Sequence, residues 1–188
     1  MKMRSLMPCG LLALGVVLNA QALASDALGS ALAGLRIEPL TPPVPAPDFQ
    51  LQDDAGRSVR LHAASGGPVL LNFWATFCGP CRAEMPALQA MHTQYDPQGL
   101  RVVAVAMDDG RRSARQRFIA QLGLDFALPV DQDGQLARLW EVSSLPVTYV
   151  LDGQGRIVGR ALGERDWNSA QAQALAEALL GQPSVVAD

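Results

Sequence analysis

Lysine is all but missing from this chain of 188 residues: Lys2 stands alone against fourteen arginines. No Schiff-base or catalytic lysine can therefore act beyond the second residue. Aromatic residues make up only 5% of the chain, and there are two histidines and three cysteines. Charged residues are also few, at 18%, with a formal net charge of −3. That mild acidity argues against a nucleic-acid partner, which needs a basic face. The chain has no apolar run near the ~20 residues that span a bilayer. The apolar content of 49% and a mean hydropathy of +0.12 nevertheless exclude a mostly disordered polymer. The length suits one domain of about 150 residues with extensions, or two small ones.

Residues 1–24 read as an export signal. Lys2 and Arg4 form a positive start, Leu11 to Leu18 an apolar stretch, and Ala22-Leu23-Ala24 a small-x-small cleavage site. The alternative is an uncleaved membrane anchor. Cleavage would remove Cys9 and leave Cys78 and Cys81 in an exported protein, where disulfides persist. A two-residue spacer closes too small a loop to act as a structural staple, so the pair is better explained by chemistry.

Residues 25–47 carry Pro39, Pro42, Pro43, Pro45 and Pro47 and are expected to be a solvated Ala/Pro-rich linker, with a short amphipathic helix around Ala27 to Leu35 as its one alternative. A compact domain is expected over 48–181, with 182–188 as a tail. Phe49 to Gln52 and Ser58 to Leu61 alternate around Asp53-Asp54-Ala55-Gly56, which predicts a hairpin. Pro68 to Ala75 and Leu100 to Met107 read as strands buried on both faces. Helices are predicted over Gly79–Tyr95, over Arg111–Leu122 with an exposed run of arginines, around Asp133–Trp140, and over Ser169–Leu180. Thr148 to Leu151 and Arg156 to Ala161 form a second hairpin pattern. The order implies an α/β fold with a mixed central sheet flanked by helices.

The chemistry concentrates at Trp74-Ala75-Thr76-Phe77-Cys78-Gly79-Pro80-Cys81, where a buried strand gives way to a helix. At the helix N-terminus, free N–H groups and the positive end of the dipole favour a thiolate at Cys78. Cys81, one turn inside, is expected to be shielded. That asymmetry suits exchange in which Cys78 attacks a disulfide and Cys81 resolves the mixed disulfide. A different class of function, a metallochaperone using the same pair, finds only half of a tetrahedral donor set in two cysteines. His92 cannot complete it, lying roughly 16 Å along the helix from Cys81. A peroxidase would need Pro-x-x-x-Thr-x-x-Cys before a cysteine, and neither cysteine has it. No metal or other cofactor is called for.

These segments, together with Ala46-Pro47-Asp48-Phe49, Glu84-Met85-Pro86, Ser144-Leu145-Pro146-Val147-Thr148 and Leu151-Asp152-Gly153-Gln154-Gly155, resemble the TlpA/ResA/CcmG-like thiol-disulfide oxidoreductases of the thioredoxin superfamily. The resemblance implies a thioredoxin fold with an added N-terminal hairpin, an insertion after the second central strand, and a cis peptide between Leu145 and Pro146 beside the cysteines. Trp74, Phe77, Gly79, Pro80, Leu145 and Pro146 would support the site. Phe77 stands where tryptophan is common, and Val147 where threonine is commoner. Asn72 replaces the buried carboxylate of thioredoxin itself, which leaves Glu84 as the candidate for proton transfer beside Cys78 and Cys81. The resemblance further implies a protein disulfide reductase with disulfide-containing clients, apocytochrome c among them, and a membrane thiol transporter as electron donor. A disulfide oxidase or isomerase would use the same cysteines in other directions.

Overall fold

The computed structural model describes residues 24–61, 66–108 and 111–181. At the centre lies strand β4, Val69–Trp74, buried over its full length. It runs parallel to β5, Arg101–Ala106, and antiparallel to β7, Val147–Leu151. Outward from β7 come β8, Arg156–Leu162, and then β1, Glu38–Pro45. Outward from β5 come the two-residue β6, Pro129–Val130, and the hairpin of β2, Phe49–Asp53, and β3, Ser58–Leu61. The result is one eight-stranded mixed sheet in the order β1-β8-β7-β4-β5-β6-β2-β3.

Because strand side chains alternate, β4 feeds two cores at once. Leu70 and Trp74 point to one face, where they meet Cys81, Met85, Leu88 and Met91 of helix α2, Gly79–Tyr95. Helix α5, Ala170–Leu180, closes that face with Ala172, Leu175, Ala176 and Leu179, and Ser169 caps its N-terminus. Val69, Leu71 and Phe73 point to the other face, toward Leu136 of the short helix α4, Gln135–Leu139, and toward Trp140 and Tyr149. Helix α3, Arg112–Leu122, and strand β6 stand between β5 and α4, where an insertion after the second central strand was expected. The expected hairpin of residues 49–61 pairs with β6 at the sheet edge.

The stretch 25–47 corrects the expected linker. A helix, α1, covers residues 24–34, and its apolar stripe Leu28, Ala31 and Leu32, continued by Leu35 in the turn that follows, is buried in the α2 core. Spacing of three and four places these residues on one helical face. The proline-rich run that follows is β1, paired with β8 through Glu38–Arg160, Pro39–Gly159, Val44–Ile157 and Pro45–Arg156. An outermost strand needs partners on one side only, so residues without an N–H are tolerated there. The pairing is irregular between Pro39 and Val44, where the Thr41–Pro42 peptide is cis. Gly159 makes the close approach: a Cβ there would meet Ile37 and Leu32 at 2.9 Å. The expected signal segment, apart from Ala24, and the tail 182–188 lie outside the described residues. Among the described residues no helix is long and apolar enough to cross a membrane.

If this N-terminal extension is an integral layer, Leu32→Ala should destabilise the domain by about 2–5 kcal/mol, as for other buried leucines. Leu32 is 3% exposed. Denaturant unfolding measures the loss, and a change below about 0.5 kcal/mol would return the segment to the status of a tether.

Candidate redox site

The site forms where β4 ends. After Trp74 the chain turns, with the Cys78 N–H donating to the Ala75 carbonyl at 3.1 Å, and enters α2 at Gly79. Cys78 is the N-cap, in extended backbone conformation, and its Sγ accepts the Cys81 N–H at 3.2 Å. Pro80 sits in the first turn, where a missing N–H has no consequence. Cys78 and Cys81 are joined in a disulfide, with Cα atoms 5.3 Å apart. Cys78 is half-buried and Cys81 is wholly buried. The asymmetry expected from the spacing is therefore present.

Around the pair, Phe77 is 65% exposed, and the Arg111 guanidinium lies 5.8 Å from its ring centroid. Trp74 is completely buried against Phe118, with ring centroids 5.4 Å apart. Leu145–Pro146 is cis, as the resemblance implied. The register Phe73–Val147 sets Pro146 alongside the end of β4, from which the cysteine turn departs. The Pro146 carbonyl accepts the Gly163 N–H at 2.8 Å, while Leu145 remains half-buried.

Glu84 is 4% exposed, not a solvated helix residue. Its carboxylate accepts the Asn72 Nδ2 amide at 2.7 Å, the Trp167 indole at 3.1 Å and the Arg165 N–H at 3.3 Å. Asn72 also donates to the Thr148 hydroxyl at 3.0 Å. Burial pushes the Glu84 carboxyl above the usual carboxylate range, against the pull of its three hydrogen bonds. These bonds run across the sheet and to the loop before α5, one helical turn from Cys81 along α2.

Trp167 is wholly buried and supplies a donor to Glu84; the two lie 83 residues apart, so no local sequence pattern carries a cue to that bond. The arginine face of α3 needs a larger correction. Arg111, Arg112 and Arg117 are exposed, but Arg115 is 3% exposed. It forks onto the Asp54 carboxylate at 2.7 and 3.0 Å. Its partner sits 61 residues earlier, beyond the range of any periodicity in the helix.

A mixed sheet with a cis-proline loop facing a Cys-x-x-Cys helix start defines a protein of the thioredoxin fold. The chain belongs to the AhpC/TSA family of the thioredoxin superfamily, whose model matches residues 43–160. It is 39% identical over 116 residues to the thiol-disulfide oxidoreductase ResA of Oceanobacillus iheyensis, covering 60% of each chain. It is 32% identical over 120 residues to the ResA of Bacillus thuringiensis, covering 64% of this chain and 69% of that one. The chain thus spans only about three fifths of the length of the Oceanobacillus relative. A solved Chlorobium tepidum structure, assigned as a thiol:disulfide interchange protein DsbE, superposes with a TM-score of 0.65 at 34% identity. That match covers 73% of this chain and 96% of the other.

The raised Glu84 carboxyl has a signed consequence. Between its ordinary value and its native one, the folded state holds a proton that the unfolded state has lost, so stability falls as pH rises. Wild type should therefore lose thermal stability relative to Glu84→Gln as pH is raised above the ordinary carboxyl value of 4.5. Parallel melting profiles for the two proteins would contradict a buried, proton-holding Glu84.

Proposed function

We propose that this protein is an exported thiol-disulfide oxidoreductase that reduces disulfides in client proteins. The observation that carries the reading is the placement of Cys78 as the accessible N-cap of α2, with Cys81 buried one turn inside. In the reduced protein, the Cys78 thiolate attacks one sulfur of a client disulfide and expels the other as a thiolate. A mixed disulfide joins Cys78 to the client. Cys81 then attacks the Cys78 sulfur, releases the second client thiol, and closes the Cys78–Cys81 disulfide. Two electrons pass from the dithiol to the client.

Cys81 must lose its proton in a buried setting. Glu84, three residues on along α2 and with its carboxyl raised by burial, is the group that accepts it. Trp74 backs the turn, Gly79 and Pro80 start the helix, and Phe77 with Leu145 and Pro146 forms the surface beside the exposed sulfur. An extended client strand pairs there with the backbone of Leu145. A membrane thiol transporter restores the dithiol, and the periplasm is the compartment in which such a cycle is useful. Apocytochrome c is a fitting client class.

What supports reduction over oxidation is electrostatic. Strong oxidants hold a very stable thiolate, whereas here no histidine adjoins Cys78 in the chain and the uncharged Asn72 lies beneath α2. A peroxide-reducing activity would need threonine three residues and proline seven residues before a cysteine, where Cys78 has Ala75 and Leu71 and Cys81 has Cys78 and Trp74.

Cys81→Ser should accumulate mixed disulfides with client proteins in cells, and Cys78→Ser should accumulate none. Non-reducing gels of acid-quenched extracts read the result. Equal trapping by the two variants would overturn the assignment of the attacking thiol.

A further inference from the structure

We propose that Asp108, clamped by Arg115, is a positioning residue for the Cys78 thiol and acts on it through Thr76. The proposal rests on Cys78 being the attacking thiol. Strands β4 and β5 are parallel and adjacent, so the segments leaving their C-terminal ends meet. From β5 comes Asp108, 3% exposed; from β4 comes Thr76, in the turn that leads to Cys78. The Met107 N–H donates to the Trp74 carbonyl at 2.8 Å and continues the ladder to this point.

One carboxylate oxygen of Asp108 takes both donors of Thr76, the hydroxyl at 2.6 Å and the N–H at 3.3 Å. Two donors from one residue fix both its peptide plane and its side chain. Hydrogen bonds to an ionised acceptor are roughly twice as strong as neutral ones. The other oxygen of Asp108 lies 3.9 Å from Arg115 Nη1, which also donates to the Asp108 backbone carbonyl. Arg115 reaches on to Asp54 in the β2–β3 turn, and Arg112 donates to the Asp54 carbonyl at 2.5 Å. The accessory hairpin is thereby tied to the cysteine turn through buried charge.

This anchor matters most when the disulfide opens. The S–S bond then no longer holds Cys78 against Cys81, and the thiolate keeps its N–H partner only if the Ala75–Cys78 turn stays in place. Thr76 lies inside that turn. Its bonds to Asp108 keep Cys78 at the N-cap in the reduced form, where the helix end favours the ionised sulfur. A freer turn would leave the thiol more often away from the helix end and less ionised.

The test spares Asp108, whose loss would leave the buried Arg115 facing one acid, Asp54, instead of two. Reduced full-length wild type, Thr76→Val and Thr76→Ser are alkylated with iodoacetamide across pH, and melting temperatures are taken alongside. Thr76→Val should react about three- to ten-fold more slowly at neutral pH, equivalent to a thiol pKa raised by about half a unit to one unit. Thr76→Ser, which keeps the hydroxyl, should overlay wild type. The anchor is refuted if Thr76→Val keeps the wild-type profile, whatever its melting temperature, or if Thr76→Ser shifts as far as Thr76→Val. Peptide mapping of the labelled cysteine separates the two levels. Label arriving first on Cys81 in wild type overturns the attacking-thiol reading. Label on Cys78 with an unshifted Thr76→Val profile overturns only the anchor.

Discussion

A cysteine that must be both reachable and easily ionised needs a helix N-terminus delivered to the surface by something rigid. Here the rigid element is β4, six residues with no exposed face, flanked by β5 and β7 and packed above and below by two cores. Everything at the site hangs from its C-terminal end. The turn at residues 75–78 sets Cys78 at the N-cap, the first turn of α2 sets Cys81 beneath it, and the antiparallel register of β7 brings Pro146 alongside. Shifting β4 by one residue would exchange its two faces, sending Asn72 and Trp74 away from α2.

Two buried carboxylates flank that junction and are handled differently. Glu84 has only uncharged donors in Asn72, Trp167 and the Arg165 backbone, so burial raises its proton affinity. Asp108 faces a cation, Arg115, which a second acid, Asp54, helps hold. The first arrangement suits a group that exchanges protons. The second suits a fixed charge that anchors a loop. Buried ions survive only when paired in this way, and breaking one partner is more damaging than replacing both.

The parts of this arrangement legible in the sequence are those written in local patterns. The apolar run of β4, the Cys-x-x-Cys at a strand-to-helix change and the Asp-Ala-Gly turn of the first hairpin each depend on neighbours within a few residues. Helix α2 was readable to its ends, Gly79–Tyr95. Residues 25–47 were misread because five prolines outweighed the Leu28–Leu35 stripe. Composition favoured an extended chain but could not show that an edge position on β8 was open to one. Arg115 was misread for a related reason: an arginine among arginines on a helix looks solvated until Asp54, distant in sequence, is placed against it. Thr76 and Asp108 are likewise joined only by the parallel pairing of β4 and β5. Long-range polar pairing leaves no periodic trace.

A dithiol that donates electrons, as proposed for Cys78 and Cys81, must rest reduced in the cell. Growing cells are quenched in acid, free thiols are labelled with a mass-shifting reagent, and the Cys78–Cys81 pair is read on a gel. The protein should be held mainly as the dithiol by its electron donor. A pair found mainly as the disulfide during growth would contradict this and make the protein an oxidant.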